Sequence, residues 1–389
     1  PDYVDEGANK VMNQATFSKG WIDESNIRYT SKTNKGARIM KGDLLMASTG
    51  GGVLGKVFFF DDDDSFYADS HVTIMRNSKG ANLMKYLYYY FYLRYDEINA
   101  TMVKGSTNQT ELQRNYLLSY ELDVPTLADQ QRMVTYLDTK LSEIDHQVSL
   151  LTSKRDAYLR LKKSIINHAV TRGLNPNVKM KDSDIEWIGE VPEHWEVKRM
   201  KDICDYISRG STPDYVDEDY QKVMNQGTFS KGWIDESNIR YTKVGKSGAH
   251  IKKGDLLMAS TGGGVLGKIL YFDSIDENYY ADSHVTIMRN SKGINSMKFL
   301  FYHFSLRFDE INATMTKGST NQTELQRYEL LSHKVAIPPL PEQHAIATYL
   351  DDKCAKIDTI VSNLDKHISR YGDLKRSLID EVITGKRAV

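Results

Sequence analysis

The chain is written twice. Residues 1 to 30 match residues 213 to 242 at 26 of 30 positions, and the offset of 212 becomes 213 after a one-residue difference near Asp64 and Asp276. The match continues through Tyr67–Gly80 and Tyr280–Gly293, then Lys104–Arg114 and Lys317–Arg327. A repeat this close requires two domains of one fold, and the 389 residues hold both with sizeable cores. No counterpart of residues 176 to 212 precedes Pro1, so about 37 N-terminal residues are expected to be absent from the sequence.

Each copy opens with short strands and glycine turns, followed by one aromatic helix expected around 82 to 98 and 295 to 311. That pattern predicts an α+β domain of about 150 residues. Tyr86, Tyr88 and Tyr95 become Phe299, Phe301 and Phe308 in the second copy. Rings kept without hydroxyls read as core rather than as a base-stacking platform.

A long helix follows each domain. Leu350, Cys354, Ile357, Val361, Leu364, Ile368 and Tyr371 recur at alternating spacings of four and three. Leu137, Leu141, Ile144, Val148 and Leu151 do the same, ahead of Arg155 and Tyr158. This is a coiled-coil seam on helices of some 40 residues, roughly 60 Å long. The partner for each stripe is the other helix, packed antiparallel. The expected boundaries are a first head at 1–127, a helix at 128–173, a second head at 174–340 and a helix at 341–389.

Ser48-Thr-Gly-Gly-Gly-Val-Leu-Gly-Lys56, repeated at 260 to 268, comes close to a nucleotide-binding P-loop. A P-loop requires Ser or Thr after the lysine and opens a helix. Here Val57 and Ile269 follow the lysine, and both lead β-branched, aromatic runs that read as strands. The segment is therefore a glycine turn between strands. Cys204 and Cys354 provide neither a disulfide framework nor metal-ligand spacing, as in a reducing cytoplasm. No run of about 18 apolar residues is present, so a soluble, cytoplasmic protein is expected. The net charge of -1 argues against a wholly electrostatic nucleic-acid binder but leaves room for local basic surfaces.

Trp187-Ile-Gly-Glu-Val-Pro-Glu-His-Trp-Glu-Val197 leads into the second domain, and Ile337-Pro-Pro-Leu-Pro-Glu-Gln343 leads into its helix. In the first copy Thr126, Ala128 and Asp129 replace Pro339, Pro341 and Glu342. With the duplication, these motifs resemble the specificity subunit of type I restriction-modification systems. The resemblance implies a non-catalytic chain with two target-recognition domains, each reading half of a split DNA site. It also implies that the long helices set the spacing and dock two methyltransferase subunits, to which two ATP-dependent nuclease/translocase subunits can be added. S-adenosylmethionine, ATP and magnesium would then belong to those partners, with no metal or cofactor in this chain. Two other readings remain open: a coiled-coil scaffold with two equivalent ligand-binding heads and no DNA, and an enzyme in its own right.

Three repeated clusters carry side chains suited to base edges and phosphates. One is Asn13, Gln14, Thr16, Ser18 and Lys19, matched by Asn225, Gln226, Thr228, Ser230 and Lys231. Another is Ser48, Thr49 and Lys56, matched by Ser260, Thr261 and Lys268. The third is Lys104, Ser106, Thr107, Asn108 and Gln109, matched by Lys317, Ser319, Thr320, Asn321 and Gln322. This last loop is also readable as a capped helix start. Asp69 and His71, repeated as Asp282 and His284, are expected on one strand face as a hydrogen-bonded structural pair. Antiparallel helices would relate the heads by an approximate twofold axis, so nearly identical heads imply an interrupted palindrome.

Overall fold

The computed structural model describes residues 3–5, 9–31, 37–77, 81–104, 110–185, 188–217, 221–243, 249–276, 278–318 and 323–389, with side chains omitted at 81–83. The chain divides into two compact units, Pro1–Ser153 with Leu364–Val389, and Lys154–Asn363. Each unit thus takes a repeat copy and part of both long helices.

In the first unit a mixed sheet runs in the order Tyr3–Val4, Arg28–Thr30, Asn9–Met12, Phe66–Ala68, Arg38–Ile39. Asn9–Met12 and Phe66–Ala68 are parallel, and the other pairings are antiparallel. A second, antiparallel sheet has Leu44–Ala47 between Val57–Phe59 and Val72–Met75. Its central strand reads Leu-Leu-Met-Ala and is buried throughout because both faces are covered. Successive side chains point to opposite faces. Leu45 and Ala47 join Phe17, Ile39 and Phe60 over the mixed sheet, while Leu44 and Met46 join the helices. The second unit repeats this with Leu256–Ala259, sending Leu257 and Ala259 one way and Leu256 and Met258 the other.

The glycine turn does lead from strand to strand, Leu44–Ala47 into Val57–Phe59, as its P-loop mismatch implied. Gly55 has φ +83°, and a Cβ there would meet Ile98 Cγ2 at 3.0 Å, so both backbone and space call for glycine. The expected aromatic helix is instead two in each copy, Ala81–Leu93 with Tyr95–Thr101 and Met297–Ser305 with Phe308–Thr314. Tyr86, Tyr89, Tyr90 and Phe91 are core residues, Tyr88 is half-buried, and Tyr92 is exposed. Tyr89 keeps its hydroxyl for a reason: it donates to Asp138 at 2.6 Å, fixing the aromatic helix to the long one, as Tyr302 does to Asp351.

The long helices are Leu127–Arg172 and Leu340–Ile383. They pair antiparallel. In the first unit Leu137, Leu141 and Ile144 pack in one cluster with Leu378, Ile379 and Val382, and Lys375 reaches Asp145 at 2.5 Å while Arg387 reaches Tyr136. In the second unit Ile166 and Val170 share a core with Ile346, Leu350 and Cys354, and Lys162 pairs with Asp358 at 2.6 Å. The helices stop at Gly173 and near Gly385, both with φ +73°. The first copy's departures leave its helix capped: Thr126 Oγ1 accepts from Asp129 N at 3.2 Å and donates to its carboxylate. In the second copy Glu342 accepts from Trp195 Nε1 and contacts His194, which explains the Pro-Glu-His-Trp motif as a clasp on the helix start.

Two neighbouring positions differ between copies in charge chemistry. Tyr90 and Tyr120 of the first unit correspond to His303 and His333 of the second, where Arg307 packs beside them and ion-pairs with Glu310 at 3.6 Å. Burial, then Arg307, holds the His333 imidazole down to about 4, and burial keeps His303 well below its usual value. Both are neutral when folded, whereas the unfolded chain takes up protons near pH 6.5. This contribution to stability is complete above pH 6.5 and is lost as pH falls toward 4, by on the order of 3 kcal/mol for His333. Replacing His303 and His333 with tyrosine should raise the second unit's melting temperature at pH 4.5 relative to pH 7; thermal scans at both pH values check this.

Candidate nucleic-acid interface

Among the candidate side chains, Asn13 and Thr16 are occupied by the fold. Asn13 Oδ1 accepts from Ala15 N at 2.8 Å and Thr16 N at 3.2 Å, and Thr16 Oγ1 accepts from Asn13 N at 3.1 Å. This reciprocal capping box starts the one-turn helix Gln14–Phe17, and Thr16 is buried. Asn225 and Thr228 do the same for Gln226–Phe229.

Gln14 differs. Its side-chain Oε1 is enclosed without a hydrogen-bond partner, and its Nε2 lies against the glycine turn, 3.6 Å from where a Gly50 Cβ would sit. Gln226 stands in the same relation to Gly262, at 3.8 Å. The turn is further tied to its surroundings. Lys56 Nζ donates to the Ser18 carbonyl at 3.1 Å and Lys268 to Ser230 at 2.7 Å. Ser48 bonds Thr73 at 2.6 Å, with Ser260 and Thr286 equivalent. Thr49 bonds His71 Nδ1 at 2.8 Å, and Thr261 bonds His284.

Thr49 also bridges to Glu111, whose cross-strand neighbour is the exposed Lys104; in the second unit Thr261, Glu324 and Lys317 are so connected. The glycine turn of each unit is thus joined to the strand that carries Lys104 or Lys317, although the two are far apart in sequence. Ser106, Thr107, Asn108 and Gln109 lie outside the described residues, as do Ser319, Thr320, Asn321 and Gln322.

Lys19 pairs with Asp23 at 2.7 Å, and the bond, assisted by Ser25, holds that carboxyl at about 2; Lys231 and Asp235 match. Beside them Trp21 and Trp233 are 59% and 61% exposed. Sequence reasoning passed over these two. The signal was there, a tryptophan set in the polar run Ser-Lys-Gly-Trp-Ile-Asp in both copies. In the first unit a cavity of about 350 Å³ opens behind this rim, with Lys19, Lys56, Tyr92 and Arg376 among its lining.

Asp69 and His71 do not share a strand face. They sit in the turn between Phe66–Ala68 and Val72–Met75, and Asp69 accepts from the His71 backbone N–H at 2.8 Å and from Tyr3 at 3.0 Å. The imidazole turns away to Thr49. Asp282 repeats the arrangement, and burial raises its carboxyl above the ordinary range.

A sequence model of the type I restriction modification DNA specificity domain matches residues 4–150 and again 192–369, most of both copies. The chain belongs to that family. The putative type I restriction enzyme specificity subunit S.HindORF215P of Haemophilus influenzae is 25% identical over 367 residues, spanning 93% of this chain and 88% of its own. The MjaVIII specificity subunit of Methanocaldococcus jannaschii is 22% identical over 368 residues, spanning 92% and 82%. A chain in a solved structure titled for complex assembly and conformational transition of the type I R-M system shares the fold. It has a TM-score of 0.72 at 14% identity and covers 96% of this chain and 91% of that one. Among the described residues no helix is long and apolar enough to cross a membrane, and no three His, Cys, Asp or Glu side chains group as a metal site.

Proposed function

We propose that this chain is the non-catalytic DNA-recognition subunit of a type I methyltransferase, which it directs to a bipartite, palindromic site. Two methyltransferase subunits dock on it, and two nuclease/translocase subunits join them in a restriction complex; S-adenosylmethionine, ATP and magnesium are held by those partners. The observation that supports this reading is the matched set of links in both units, from Lys56 and Lys268 to the Ser18 and Ser230 carbonyls and from Thr49 and Thr261 to the strands beside Lys104 and Lys317. Turned outward from their enclosed positions, Gln14 and Gln226 offer the paired donor and acceptor that a base edge needs, while Lys104 and Lys317 contact phosphate.

Equivalent reading surfaces read the same bases. The target is then a half-site, an unread spacer and the reverse complement of that half-site, with centres about 10 base pairs apart. Co-expression with the methyltransferase subunit followed by methylome mapping tests this, and a motif whose halves are not reverse complements overturns it. Alanine at both Lys104 and Lys317 should weaken all duplexes alike and reduce the slope of log affinity against log salt by about two; titrations at several salt concentrations provide that slope.

A further inference from the structure

The Asp-Ser-His turn of each unit holds one imidazole in place. The His71 backbone N–H donates to Asp69 Oδ1 at 2.8 Å, and its carbonyl accepts from Ser48 N at 2.9 Å. Its ring Nδ1 bonds Thr49 Oγ1 at 2.8 Å. His284 is held at the same three points, by Asp282 at 2.8 Å, Ser260 N at 2.8 Å and Thr261 at 2.7 Å. The Asp69 carboxylate is buried and takes the Tyr3 hydroxyl on its other oxygen, as Asp282 takes that of Tyr215. Core packing does not call for this bracing: both histidines are exposed, and no described residue bonds Nε2 of either.

Thr49 ties the imidazole both to the glycine turn and, through its bridge to Glu111, to the strand that carries Lys104. Thr261 does the same for His284, Glu324 and Lys317. The charged and titratable groups around the first ring are Asp69 on its own turn, Tyr3 on that carboxylate with Arg28 over the Tyr3 ring at 5.7 Å, and Glu111 and Lys104 beyond Thr49. Around the second they are Asp282, Tyr215 with Arg240 over its ring, Glu324 with Arg209 on it, and Lys317.

We propose that His71 and His284 each grip a backbone phosphate of the duplex through Nε2, as imidazolium, so that DNA binding takes up protons. This rests on the recognition role proposed above. In the charged ring both nitrogens donate, Nδ1–H to the threonine hydroxyl and Nε2–H to a phosphate oxygen. A single charged donor suits a phosphate, whereas base edges are read by paired groups. A phosphate beside the ring favours its charged form, so the bound state holds protons that the free chain releases. Affinity is then highest at low pH and falls as pH rises through the range, roughly pH 5–8, in which imidazoles change charge. A ring pinned at Nδ1 and at both backbone groups also gives up little rotamer freedom on binding.

The test is duplex titration of the full chain at about pH 6 and pH 8 and at several salt concentrations, beside a double variant carrying His71→Asn and His284→Asn. Asparagine keeps an amide within reach of the threonine and removes Nε2, so a purely structural role would survive it. The unaltered chain should lose about tenfold or more in affinity from the lower to the higher pH, on cognate and scrambled duplexes alike. Its slope of log affinity against log salt should be steeper at the lower pH by about two. The double variant should show neither effect at an unchanged melting temperature. If asparagine lowers that temperature, His71→Gln with His284→Gln decides: its neutral donors should leave affinity independent of pH, at the unaltered chain's higher-pH value. Duplex binding whose pH profile is the same with and without the histidines overturns this inference and leaves the recognition role standing. A pH-dependent loss confined to the cognate duplex makes a base edge the acceptor and overturns the phosphate contact. No duplex binding at either pH overturns both readings.

Discussion

Aspartate in place of Leu137 is expected to melt the first unit. Leu137 is fully buried where the long helices meet, in a cluster with Leu141, Ile144, Leu378, Ile379 and Val382. Removing the leucine side chain from such a site costs about 2–5 kcal/mol, and an unpaired buried carboxylate adds to it. Against a total stability of about 5–15 kcal/mol, the combined loss leaves little folded unit. Leu150→Asp is the control: Leu150 lies on the same helix at 52% exposure, so the change should stay within about 0.5 kcal/mol. Calorimetry on both variants decides, and equal melting temperatures would contradict the helix pairing.

Alanine at both Gln14 and Gln226 should reduce discrimination rather than general DNA affinity. Each enclosed amide oxygen lacks a protein donor, an arrangement that costs about 1–3 kcal/mol and that an outward turn of the side chain onto a base edge would relieve. Loss of a bidentate contact removes about 1–3 kcal/mol of discrimination per half-site, so two should cost about 30-fold or more in cognate binding. Affinity for a scrambled duplex should hardly change. Competition binding with the two duplexes measures the difference, and an equal loss on both would remove the glutamines from base reading. Asn13→Ala would behave differently, lowering stability by about 0.5–2 kcal/mol through the lost cap.

The duplication made the large features legible. Seam positions such as Leu137, Leu350, Cys354 and Leu364 were readable because burial in a helix pair leaves a periodic trace. The glycine turn was readable because Val57 and Ile269 announce strands. What escaped was set by tertiary contact. Nothing in Leu93-Arg94-Tyr95 breaks a helix by itself; the break accompanies Arg94 folding its guanidinium over the Tyr90 ring at 3.5 Å. Asn13-Gln-Ala-Thr16 carried a capping pattern that competes with base reading for the same atoms, and local sequence does not say which use wins. A heptad stripe, likewise, says that a helix has a partner but not that the stripe is divided between two cores.

That division bears on synthesis. The first unit needs Leu364–Val389, which emerges only after the 210 residues Lys154–Asn363 have been made. At about 5–20 residues per second, its amino-terminal part waits roughly 10–40 s on the ribosome with Leu137, Leu141 and Ile144 uncovered. The second unit is contiguous, so none of its residues waits on a segment made after an intervening domain. The nascent first head is thereby the stage at which a chaperone would have most to protect.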